Sequence, residues 1–178
     1  PPIDINLNTL KLVQCSGESN GIIDLAVFGA TPPYQFLWSN DATSEDLTNL
    51  PAGTYQSTIT DANGCTFPSP EYIVTEPPLL NIILDSVLNV RCFGEESGYL
   101  CVDAIGGAGS YQYNWSTGAK TACLPAVGAG VYFLTVTDGN ACTAEWLGVV
   151  TQSSSLQIEF TKKQNPTCIG AKDGNIEL

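Results

Sequence analysis

The chain contains no histidine and no methionine, and it has six lysines and arginines against 18 aspartates and glutamates. Each shortage closes a class of function. Without histidine, the commonest general base and a frequent zinc ligand are missing. No C-x-x-C pair occurs either, so the seven cysteines do not read as a zinc site. A net charge of −12 leaves too few cations to meet a run of nucleic-acid phosphates. That charge reads instead as solubility and as repulsion between crowded copies. No apolar run in these residues approaches the length that spans a bilayer, and none reads as a signal peptide; in a longer parent protein both would lie outside this stretch. Helix signals are missing too, since no segment carries apolar residues at i, i+3, i+4 and i+7 behind a cap.

What is there is a repeat. The phrase C-x-G-x-x-x-G occurs three times, starting at Cys15, Cys92 and Cys168. Its spacings of 77 and 76 residues match the lower end of an independent domain rather than a solenoid unit. Aligning the first two copies superposes Tyr34 on Tyr111, Trp38 on Trp115, Tyr55 on Tyr132, Asp61 on Asp138 and Cys65 on Cys142. The chain therefore divides into residues 1–76, 77–153 and a third unit, 154–178, of which the first two strands are expected. With Cys168 short of a partner and no methionine present, the array is expected to continue past Leu178.

Each unit alternates as β-structure does. Ile3, Ile5 and Leu7 flank polar residues in a first strand, and Ile23, Leu25 and Val27 share one face of a second. Further strands are predicted over 34–38, 47–50, 54–60 and from Cys65 to about Val74, with Gly and Pro turns between them. Asp61-Ala-Asn63-Gly64 reads as a tight hairpin because Asn-Gly accepts positive φ. Six short strands per unit predict an all-β fold of tandem, Ig-like antiparallel β-sandwich modules of about 77 residues. If successive strands alternate in direction, the first loop and the last hairpin share one end. The repeat then favours the pairs Cys15–Cys65, Cys92–Cys142 and Cys101–Cys123, with Cys168 bonded beyond the fragment. Each module would be internally stapled and severely destabilised by reduction. Disulfides of this kind imply an extracellular setting.

Sites for chemistry are sparse. Catalysis needs a base, a reactive thiol or paired carboxylates in a cleft, and nothing here suggests an enzyme. No cofactor is expected. Asp61, Asn63, Asp138 and Asn140 offer hard oxygens that a Ca²⁺ ion could use, but their spacing fits no complete calcium loop and suits a plain turn. Trp38 and Trp115 recur at one strand position and read as core. Trp146 stands where module one has Ser69, so it is either an exposed adhesive ring or one that packs against the neighbouring module.

Taken in order, Tyr34-Gln-Phe-Leu-Trp38-Ser39, Ala52-Gly53-Thr-Tyr55 and Thr60-Asp61-Ala-Asn63-Gly64-Cys65-Thr66, with their counterparts in module two, resemble the SprB repeat. The resemblance covers nearly the whole chain and is named for a gliding-motility adhesin of Bacteroidetes. It implies a long filament at the cell surface, commonly exported by the type IX route and used in adhesion or gliding, with these repeats as stalk and no catalytic residues. The implied partners are neighbouring repeats of the same chain. Two departures occur: Ala141 replaces Gly64, predicting that Gly139-Asn140 takes the positive-φ positions, and Ser154-Ser155 replaces the boundary prolines, predicting a looser joint. Alternatives remain: repeats that themselves bind polysaccharide, or units that assemble laterally or by strand exchange through exposed Ile176 and Leu178.

Overall fold

The structure is a computed structural model, and it describes residues 2–159, 162–169 and 172–177. Pro1 and Leu178 lie outside them. Every named element is a strand, and every pairing of named strands is antiparallel.

Module one folds as two facing sheets. Strands β1 (Asp4–Lys11), β2 (Gly21–Phe28) and β4 (Leu47–Leu50) form one, in the order β1-β2-β4. The other holds β3 (Gln35–Trp38), β6 (Ser57–Thr60) and β7 (Thr66–Pro68), extended by the pair β5 (Gly53–Tyr55) and β8 (Tyr72–Val74). Alternation does the sorting: Ile23, Leu25, Trp38, Leu50, Tyr55 and Val74 turn inward and are buried in one core. Module two repeats the plan with longer strands. One sheet holds β9 (Asn81–Leu88), β10 (Gly98–Ile105) and β12 (Cys123–Val127); the other holds β11 (Gln112–Trp115), β13 (Gly130–Thr137) and β14 (Thr143–Val150). Its separate core includes Leu100, Val102, Trp115, Leu134, Val136 and Val150. These are Ig-like β-sandwiches. Beyond them, β15 (Lys162–Gln164) and β16 (Asn175–Glu177) pair with each other, and Ile176 is more than half exposed.

Strand direction overturns the expected cysteine pairing. Gly21 pairs with Leu50 and Gly53 with Val74, while the Val13 N–H donates to the Thr75 carbonyl. Those groups mark the end from which the chain leaves the module, and the Cys15 loop is there. Gln35 pairs with Thr60, and the Ala62 N–H donates to the Thr31 carbonyl, so the Cys65 hairpin lies at the opposite end, near Pro2. Strands β3 and β4 both run toward the chain's exit, because residues 39–46 cross from one sheet to the other and step back. One connection that fails to reverse the chain breaks the parity assumed from sequence. Cys15 cannot meet Cys65, and Cys92 cannot meet Cys142.

Each module consequently receives the chain at one end and releases it at the other, so two modules stack end to end. The junction is close. Gly29 (φ 80°) and Gly106 (φ 77°) occupy equivalent turns where a Cβ would strike the carbonyls of Pro2 and Leu79, near the start of each unit. The Gly107 N–H donates to the Pro78 carbonyl at 2.8 Å, tying the linker to the second module.

Candidate inter-module joint

The end-to-end stack brings the Cys15 loop of module one against the β13–β14 hairpin of module two, and a disulfide joins Cys15 to Cys142 across 127 residues of sequence. Both supports are built locally. In the loop, Gly17 turns at φ 79°, the Glu18 N–H donates to the Cys15 carbonyl, and the Gln14 N–H donates to Asn20 Oδ1. The Gly17 N–H is also held by Glu76 Oε2 at 2.6 Å, so the linker itself shapes the loop. In the hairpin, Asp138 Oδ1 accepts from the Asn140 and Cys142 N–H groups, each at 2.9 Å, and Oδ2 accepts from the Ala108 N–H. Across the joint, Asn140 Nδ2 donates to the Gln14 carbonyl at 2.9 Å, and Cys142 Sγ lies 3.4 Å from the same oxygen. Pro77, Pro78 and Leu80 floor a cleft of about 270 Å³ beside the disulfide.

The two aspartates among the weak calcium candidates bind backbone N–H groups of their own hairpins, as the plain-turn reading expects, and Asp138 also holds the Ala108 N–H. Asp138 is 4% exposed and Asp61 7%. Burial pushes the Asp138 carboxyl up, but the Ala108, Cys142 and Asn140 N–H groups together outweigh it and hold the carboxyl below its ordinary range. For Asp61 the Cys65 N–H is the largest influence, and that carboxyl is also lowered. Asn63 and Asn140 turn their amide nitrogens outward, to Thr31 Oγ1 and to Gln14. Among the described residues, no group of three or more Cys, Asp and Glu converges as a metal site would require. Ala141, not Gly139-Asn140, takes the positive φ (66°) of the second hairpin, corresponding to Gly64 at 81°.

The other cysteines divide in two. Cys101 and Cys123 sit directly opposite one another on β10 and β12 and are bonded, whereas Cys65, Cys92 and Cys168 are free and exposed. Module one has no internal disulfide, which corrects the expectation that each module carries its own loop-to-hairpin staple. Trp146 packs into its own module: its ring meets Trp115 edge-on, with centroids 6.1 Å apart, and joins the rim of the second core. The joint was missed in the sequence because its two halves are remote in the chain; the short Pro77-Pro78 linker was the available sign that neighbouring ends would abut.

Two Ig-like sandwiches coupled end to end by a disulfide define a tandem-repeat β-protein. The SprB repeat family matches residues 8–43 and 84–120, from the first strand through the C-x-G loop and past Trp38 and Trp115. Those two matches support an SprB-type repeat, a repeat of cell-surface proteins. Among solved structures it is similar to the three N-terminal domains of the bacteriophage RB49 Highly Immunogenic Outer Capsid protein, at 15% identity and a TM-score of 0.46 over 84% of this chain and 58% of that one. It is also similar to a C-terminal fragment of intimin (15%, 0.40, 85% and 64%) and to the IG1 and IG2 domains of DIP-gamma (9%, 0.44, 86% and 99%). The chain thus spans less than two thirds of the first two. No curated protein matches it.

Proposed function

We propose that this chain is a stalk segment of a secreted cell-surface adhesin or filament, used in adhesion or gliding and exported, as the repeat family implies, by the type IX route. The observation that carries the reading is the Cys15–Cys142 bond between stacked modules. A pull along the chain passes through that bond and bypasses the residues between, which would otherwise extend by about 430 Å. A segment that resists lengthening is what a stalk requires. The functional test is replacement: exchange these repeats in the parent protein for the same number of unrelated, equally long Ig-like modules. Adhesion or gliding retained supports the stalk; adhesion lost, with surface display intact, overturns it.

One observation favours a second reading, in which module two itself binds polysaccharide or another filament subunit. The cross-strand pairs Val131–Val149 and Phe133–Leu147 leave four apolar side chains half exposed on one face, where module one places Thr54 and Gln56 opposite the corresponding strand. Binding of the isolated chain to cell-surface glycans, abolished by Phe133→Ser, supports this alternative.

A further inference from the structure

Cys65 and Cys92 are unpaired, exposed, and set in the same two scaffolds that carry the Cys15–Cys142 bond. The Cys92 loop reproduces the Cys15 loop group by group. Gly94 turns at φ 81°, the Glu95 N–H donates to the Cys92 carbonyl, and Ser97 closes on the Arg91 N–H as Asn20 does on Gln14. The Gly94 N–H is held by Gln152 from the following linker, the position equivalent to Glu76. The Cys65 hairpin likewise reproduces that of Cys142: Asp61 Oδ1 accepts from the Asn63 and Cys65 N–H groups, and the Asp61 N–H donates to the Cys65 carbonyl. On the loop side of the existing joint the polar contact is a main-chain carbonyl, so exchange of Gln14 for Arg91 leaves it available. On the hairpin side Asn63 stands where Asn140 does, and rotation of its side chain away from Thr31 frees the amide.

The geometry points to Cys92 and Cys65 as complementary halves of a further joint of the Cys15–Cys142 kind, whose partner is another repeat of this design; a second copy of this chain docks head to tail, Cys92 of one copy bonded to Cys65 of the next. The two thiols lie at opposite ends of the stacked pair, so neither serves the other within one chain. Beside the third such cysteine, Asp173 Oδ1 likewise accepts from the Thr167 N–H, and Cys168 is also free and exposed. Such a joint forms whether or not the array serves as a stalk. Bond formation needs an oxidant, and a small-molecule disulfide such as glutathione disulfide suffices. The Cys92 thiolate displaces one glutathione, the Cys65 thiolate displaces the second from the mixed disulfide, and two electrons and two protons end on the two glutathiones released.

The test uses the full chain carrying Cys168→Ser, held in a glutathione redox buffer and analysed by non-reducing gel and peptide mapping. The expected result is a ladder of oligomers in which Cys92 of one chain is bonded to Cys65 of another, with Cys15–Cys142 intact within each. Cys65→Ser alone or Cys92→Ser alone should leave monomers, and an equimolar mixture of the two variants should give dimers and nothing longer. Symmetric Cys65–Cys65 or Cys92–Cys92 links, monomers throughout with Cys15–Cys142 intact, or mapping that finds Cys15 bonded to Cys65 would each overturn the proposal.

Discussion

The two modules fill one space in two ways. In module two, Leu134 and Trp146 face each other across β13 and β14, and Trp146 edges onto Trp115. Module one has Ser57 and Ser69 at those positions, joined by a Ser57 N–H to Ser69 Oγ bond of 2.9 Å and a Ser69 N–H to Ser57 carbonyl bond of 2.8 Å. One extra residue beyond Ser69 breaks the ladder into β7 and β8, and Tyr72 then delivers the ring that meets Trp38, with centroids 6.2 Å apart. Where Tyr72 would stand, module two has Gly148, and a Cβ there would fall 2.5 Å from the Trp146 ring. The ring has moved two residues along the strand, and glycine makes room for it. The staples differ as well: Cys101–Cys123 in module two corresponds to Asp24 and Asp46, which accept from Asn8 Nδ2 and from the Leu25 N–H. A fold specified by burial and ladder bonds tolerates such exchanges, because what it requires is filled volume and satisfied polar groups rather than particular residues.

Reduction should break the comparison most widely. Pulled by its ends in a single-molecule force experiment, the oxidised chain is expected to yield about 430 Å less contour length than the reduced chain, because Cys15–Cys142 hides the intervening residues. Equal lengths in both conditions would show that the joint is not bonded. Next in size, Cys101→Ser with Cys123→Ser should cost module two about 3 kcal/mol through loop-closure entropy. Module one should keep its own stability, with the two followed separately by hydrogen exchange. Trp146→Ala should cost about 2–3 kcal/mol, less than a fully buried Trp because its ring lies at the rim of the core. A shift near zero would mean that Trp146 does not support the core.

Acid should act on both hairpins alike. The Asp61 and Asp138 carboxyls are depressed in the folded state, so their contribution is complete above the ordinary Asp value of about 4 and fades as pH falls through that value and then through the lower folded one. Melting temperature followed downward from neutral pH should fall over that range, and Asp138→Asn should flatten the response of module two alone. The smallest effect is expected at Ser57, whose buried Oγ has no hydrogen-bond partner while its N–H and carbonyl are satisfied. Ser57→Ala should leave module one unchanged or raise its stability by up to about 1 kcal/mol. A clear loss would show that the hydroxyl is bonded after all.

Much of this was legible in the residues. Alternation at Ile23, Leu25, Leu100 and Val102 located strands and core faces, and the recurrence of Trp38 and Trp115 marked core positions, because burial imposes a period that a single strand displays. The Cys101–Cys123 bond is local in the same sense, its halves meeting across one strand pair. Ala141 escaped because an Asn-Gly preference is statistical, while the Asp138 bonds hold the hairpin whichever residue takes the positive φ. Trp146 escaped because its role depends on a register shift against module one.

What the sequence by itself determined is the module: its period, its strands, and the residues that turn inward, all consequences of local geometry and hydrophobic burial. Only the tertiary structure decided which end of the module each cysteine occupies. That depends on residues 39–46 crossing between sheets without reversing the chain, a property of the path through space with no signature in composition or spacing. The Cys15–Cys142 joint, and with it the end-to-end order of the array, follows from that path.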